Sequence, residues 1–299
     1  MKKTTLLLLL IFTITTTGVF CRVLYTQEDS LKIIQLLELG RRQPKDTNMT
    51  LFYARQFLGV PYVAKTLEVT YSDSDGEPEE CLVINTRELD CTTFVETVSA
   101  LVLTTAVGKT TFGDFCRCLQ KLRYRKGEIA DYTSRNHYFT SWIDNAINGN
   151  MATLIEPKNS GFTKSRRQQI DFMSNHPELY PALQKRNGAS YLKKICRAEQ
   201  EICRNVSYVP TSMLNKASSV LSFIHDGDIL ALETNKPGLD VSHLGFAIWE
   251  EDSKLHLIHA SSLKKKVIID PQPLYNYQLK QKSQIGVRVV RLKASASIF

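Results

Sequence analysis

Cysteine, basic clusters and long apolar runs are all scarce in this chain of 299 residues. Seven cysteines in such a length exclude a disulfide-held scaffold, which needs a far denser set. No block of five or six basic residues occurs and no aromatic-basic interleaving, so a nucleic-acid partner is not expected. Beyond the first twenty residues no stretch approaches 18 uninterrupted apolar positions, which excludes stable membrane insertion of the processed chain. No repeat of 20–50 residues and no low-complexity segment is present. The remaining composition, 43% hydrophobic and 23% charged, is that of a globular protein with a sizeable core.

The chain opens on an address. Lys2 and Lys3 precede the apolar run 6–12, and Thr13 to Gly18 follow with small polar residues, the order of a secretory signal over residues 1–21. Residues 22–299 are then expected to form one exported domain, periplasmic and monomeric. Cys21 could carry a lipid, but the bulky Phe20 before it argues against such cleavage. Removing the two lysines lowers the formal charge from +8 to +6, a mild excess that suits an anionic partner. The run Lys264 to Lys266 reads as a solvated turn.

Apolar positions spaced three and four apart over residues 26–58 predict two helices broken at Gln43-Pro44. Short strands are expected at 67–71 and 82–85 around a polar turn whose Asp75-Gly76 is a hairpin signal. Asp90 opens a long apolar helix that runs to Gly108. Residues 114–215 read as a helical and looped insertion, with a basic turn at 164–167 and a helix around 191–203. Strands are expected at 228–232, 243–249, 255–259, 266–269 and 285–292.

The sharpest chemical feature is Asp90-Cys91 at a helix start. There the positive end of the helix dipole favours a thiolate, the form in which sulfur is a nucleophile. Six histidines could supply a base: His137, His176, His225, His243, His256 and His259. His243 lies on the strand face opposite Leu244, Phe246 and Ile248, with Gly245 beside it leaving room for approach. His259, on the next strand, can meet the far imidazole nitrogen of His243, whereas His256 points away. A histidine base in its ordinary range gives an acid limb near pH 6 to 7. Cys116 and Cys118 lack zinc-finger spacing, so no metal is expected, and Cys196 and Cys203 are expected to be buried free thiols on one helix face.

The succession Leu58-Gly59-Val60-Pro61-Tyr62, Asp90-Cys91, Asp226-Gly227-Asp228-Ile229, Ser242-His243-Leu244-Gly245-Phe246 and Leu257-Ile258-His259-Ala260-Ser261 resembles the NlpC-type cell-wall cysteine hydrolases. The resemblance implies an α+β, papain-like fold in which the nucleophile's helix packs on a small antiparallel sheet, elaborated by N-terminal helices and the large helical insertion. It implies Cys91 as nucleophile, His243 as base and His259 as orienter, with Tyr62 beside the cysteine. Thr92-Thr93 and Ala64-Lys65 depart from the usual glycine-containing pairs.

The section around Arg135-Asn136-His137-Tyr138 and Trp142, and the loop from Thr234-Asn235 to Asp240, resemble the N-acetylmuramoyl-L-alanine amidase-like branch. The expected substrates are muropeptides, without a cofactor. Tyr62 and Ser242 are candidates at the oxyanion or substrate, and Arg135, His137, Tyr138 and Trp142 could contact sugar or stem carboxylate. The insertion is expected to wall the cleft and to favour soluble fragments over polymer. Three other readings share the scaffold: a stem-peptide endopeptidase cutting after D-glutamate, an acyltransferase, and a non-catalytic wall-binding module. No pair of acids suggests glycan cleavage.

Overall fold

A computed structural model describes residues 23–68, 71–72, 78–157 and 160–293. The signal segment, Cys21 and the Asp75-Gly76 turn lie outside these residues. Helix starts follow side-chain capping. Thr26 and Asp29 close a capping box before α1 (Gln27–Arg41), Asn48 caps α2 (Met49–Arg55), and Thr111 with Asp114 caps α4 (Phe112–Arg123). Asp90 does the same for α3 (Cys91–Ala106), accepting from Thr93 N at 2.8 Å while Thr93 Oγ1 accepts from Asp90 N at 2.9 Å. Each satisfies amides that a helix start leaves unpaired. The break expected at Gln43-Pro44 separates α1 from α2.

Strand β1 (Val23–Leu24) pairs in parallel with β4 (Leu82–Val83), and β2 (Tyr71–Ser72) pairs with β3 (Pro78–Glu79). The main sheet is antiparallel and eight-stranded. It comprises β5 (Ala152–Ile155), β6 (Lys164–Arg167), β7 (Asn205–Pro210), β8 (Ile229–Thr234), β9 (Val241–Trp249), β10 (Leu255–Ser261), β11 (Lys266–Ile269) and β12 (Gln284–Leu292). Their order is β11-β10-β9-β8-β12-β7-β6, with β5 also on β12.

Alternation along the strands feeds two cores. Leu244, Phe246, Ile248, Ile258 and Ala260 face α3, where the Phe94 and Phe246 rings meet edge-on at 5.5 Å. Leu230, Leu232, Ala247, Leu257 and Val287 face the other way, covered by Leu221, Ile224 and α8 (Leu274–Leu279). Burying one side chain the size of Phe94 contributes about 2 kcal/mol. A nearly all-buried α3 is therefore held firmly on the sheet.

The expectation for residues 114–215 needs correction. Helices α5 (Phe139–Asn148), α6 (Phe172–Asn175) and α7 (Gly188–Ile202) are there, but so are β5, β6 and β7, which widen the main sheet. Helix α4 belongs to the core with α3. The supposed basic turn 164–167 is β6, an edge strand whose charges blunt further pairing. Its Arg166 reaches the fully buried Glu233 at 2.9 Å, where Arg288 also pairs. A buried carboxylate needs such partners, which short-range patterning does not show. Cys203 caps α7 rather than sharing its face with Cys196, and both are half-buried free thiols.

Candidate active site

Cys91 is the first residue of α3, and its half-buried sulfur sits where the helix, β9 and the 60–62 loop converge. Tyr62 is fixed beside the helix start by main-chain bonds: Tyr62 N to Lys265 O at 2.9 Å, Leu89 N to Pro61 O at 3.0 Å and Val63 N to Leu89 O at 3.2 Å. Burial and the Asp90 carboxylate push the Cys91 thiol up to about 12, outweighing hydrogen bonds from Thr92 and the Leu244 backbone. The helix-start thiolate expected from position alone is therefore a thiol at rest. Burial, Cys91 and Asp90 likewise push Tyr62 up to about 12, so its hydroxyl keeps its proton.

His243, on β9, is 7% exposed, and His259, on β10, is fully buried. Their rings cross at 85°, with His243 Nε2 2.6 Å from His259 Nδ1. The chain of contacts continues to Asp270, just after β11, whose Oδ2 is 3.4 Å from His259 Nε2. Burial and the neighbouring His259 hold His243 down to about 3. The Tyr277 ring of α8 packs on both imidazoles, at 6.4 Å from His243 and 5.5 Å from His259. His256 points away, 2.9 Å from Asp270 O and 3.1 Å from Asp252 Oδ2.

Cys91 and His243 line one cleft of about 350 Å³, together with Ser242, Arg135, His137, Tyr138 and Trp142. Met173, Leu179 and Tyr180, from the 114–215 region, form part of its wall, and Lys65 Nζ donates to Leu179 O at 3.3 Å. The cleft therefore gathers most of the residues singled out in the sequence, but several are already engaged. Arg135 is 2.8 Å from Glu68 and 2.8 Å from Glu80, and donates to Leu67 O at 3.1 Å. Tyr138 donates to Glu199 at 2.6 Å and accepts from Met173 N at 2.9 Å. Trp142, 1% exposed, stacks on Phe139 at 4.9 Å.

His137 Nε2 donates to Tyr132 O at 2.8 Å, and burial beside Arg135 holds the ring down to about 3 and neutral. Ser242 Oγ donates to Leu232 O at 3.4 Å. The room expected beside Gly245 is filled: a Cβ there would lie 2.8 Å from Leu257 and from Ile258 O, so this glycine serves the close approach of β10. Asp270 was not singled out in the sequence. Its signal was available, as an acid closing the strand that pairs with the His259 strand.

A family model described as AmiA-like, N-acetylmuramoyl-L-alanine amidase-like, matches residues 53–287. None of the curated proteins matches. Among solved structures, an N-acetylmuramoyl-L-alanine amidase from Bacteroides uniformis is 39% identical with a TM-score of 0.73, covering 85% of this chain and 99% of its own. A Bacteroides fragilis protein provisionally described as a xylanase is 40% identical with a TM-score of 0.72, covering 80% of this chain and 99% of its own. A Legionella pneumophila protein at 21% identity shares the fold, with a TM-score of 0.67 over 91% of this chain and 98% of its own. The match spans most of the chain, including every strand that carries the histidines, and the protein belongs to the AmiA-like, N-acetylmuramoyl-L-alanine amidase-like family.

Proposed function

We propose that this protein is an exported, periplasmic cysteine hydrolase, of the papain-like NlpC type, that cuts the amide between the lactyl group of N-acetylmuramic acid and L-alanine in muropeptides. The observation that carries the reading is one cleft lined by a helix-start cysteine and by a histidine whose far nitrogen meets a second histidine. Nucleophile, base and orienter are all side chains, so the chemistry asks for no metal or cofactor.

With Cys91 a thiol and His243 neutral, the proton of Sγ passes to His243 as sulfur attacks the amide carbonyl. The imidazolium then protonates the leaving nitrogen of L-alanine. Water, deprotonated by His243, releases the muramoyl acyl group from Cys91 and restores the thiol. The developing oxyanion meets the Cys91 N–H, one of the amides that the first turn of α3 leaves without an intrahelical acceptor, with the protonated Tyr62 hydroxyl as a second donor. The wall formed by Met173, Leu179 and Tyr180 narrows the cleft, which favours soluble fragments over polymer.

Glycan cleavage needs an acid and a second carboxylate free to act across the scissile bond. The cleft carboxylates here are engaged: Asp90 caps α3, Asp240 accepts from Thr140 N at 2.7 Å and Val241 N at 2.8 Å, and Glu68 pairs with Arg135. Mass spectrometry of a purified disaccharide-peptide digest tests the proposal. The expected products are intact stem peptide and peptide-free sugar. A shortened peptide still attached to sugar would instead indicate an endopeptidase, cleaved glycan a glycosidase, and no product at all a binding module.

A further inference from the structure

We infer that Asp270 is a positioning residue that sets the tautomers of both active-site histidines; this rests on the reading of Cys91, His243 and His259 as the reacting set. Asp270 is 4% exposed and tightly held. Its N–H donates to Leu257 O at 2.8 Å, its Oδ1 accepts from Gln272 N at 2.9 Å, and Pro271 and Pro273 flank that turn. Its remaining oxygen faces His259 Nε2 at 3.4 Å. His259 is fully buried and, among the described residues, its Nε2 makes no hydrogen bond, so the Asp270 carboxylate at 3.4 Å is the acceptor that faces its proton.

Donors and acceptors alternate along the chain of rings. A carboxylate only accepts, so His259 carries its proton on Nε2 and presents a lone pair at Nδ1. That lone pair, 2.6 Å from His243 Nε2, requires the His243 proton to be on Nε2. His243 Nδ1 is left unprotonated, which makes it the nitrogen that takes the Cys91 proton. An asparagine at 270 can turn its amide nitrogen toward His259 Nε2. The His259 proton then moves to Nδ1, the His243 proton moves to Nδ1 as well, and the base is lost with every atom still in place.

The test combines kinetics with nitrogen-15 NMR of labelled imidazoles in the wild-type protein, Asp270→Asn and Asp270→Ala. Wild type should show both His243 and His259 protonated on Nε2. In Asp270→Asn both rings should switch to Nδ1–H, with kcat falling on the order of 10³-fold and KM little changed. Asp270→Ala should lose less, because water can accept where the carboxylate did. The inference is overturned if wild-type His243 carries its proton on Nδ1, or if both variants lose activity equally with tautomers unmoved. Full activity in Cys91→Ala would instead overturn the parent reading, and the wild-type NMR measurement still decides the Asp270 question because it needs no turnover.

Discussion

Lowering the pH from 7 to 5 would disable a histidine base of ordinary pKa, and it should leave this protein almost untouched. The base must be neutral to take the Cys91 proton, so activity is lost as pH falls through the folded-state pKa of His243. At a pKa of 6.5 only about 3% of the base is neutral at pH 5; held down to about 3, about 99% is. The two cases differ by about thirtyfold in kcat/KM, the quantity that reports the free enzyme. The assay is release of stem peptide from a purified muropeptide between pH 4 and 8, with circular dichroism in the same buffers. That control matters because the unfolded chain binds the His243 proton first, so stability itself declines as pH drops from about 6.5 toward 3. An acid limb at 6 to 7, as the sequence alone predicts, would refute the neutral thiol-imidazole pair.

His259→Ala should retain more activity than His243→Ala, and His256→Ala should be close to wild type; a dead His256 variant with an active His259 variant would reverse the assigned strand faces. Arg135→Gln leaves Glu80 and Glu68 without their cation, and should cost about 3 to 5 kcal/mol in urea unfolding. A change in KM with unaltered stability would show that Arg135 meets substrate instead. Burial raises Asp29, but hydrogen bonds from Thr26, Thr86 and Arg87 outweigh it and hold the carboxyl at about 2 against 3.8, worth about 2 kcal/mol. That contribution is present above about pH 4 and lost as pH falls through 2, so Asp29→Asn should destabilise at pH 7 and not at pH 2; an equal deficit at both would contradict it.

Where one residue's own neighbours decide its role, the sequence was readable. Asp90-Cys91-Thr92-Thr93 carries both the cap and the helix start, and the alternation around His243 places Leu244 and Phe246 in the core and the imidazole on the other face. The spacing of His259 from Leu257 and Ile258 fixes its face in the same way. What was not readable depends on partners distant in the chain. Arg135 looks like a free cation until Glu68 and Glu80 fold over it, and Lys164–Arg167 looks solvated until Glu233 is buried beneath Arg166. The thiol's resting state is of the same kind: local position favours the thiolate, and burial beside Asp90 overrides it. Asp270 joins the histidines only through the register of β11 on β10, where His259 lies opposite Ile268.

Cys91 as nucleophile is tested by turnover of one purified muropeptide by Cys91→Ala beside the wild-type protein. Removing the sulfur opens only a small gap at a half-buried position, so the melting temperature should stay close to wild type. Stem-peptide release should fall by at least about 10⁴-fold in the folded variant. Release at the wild-type rate by Cys91→Ala would contradict that role.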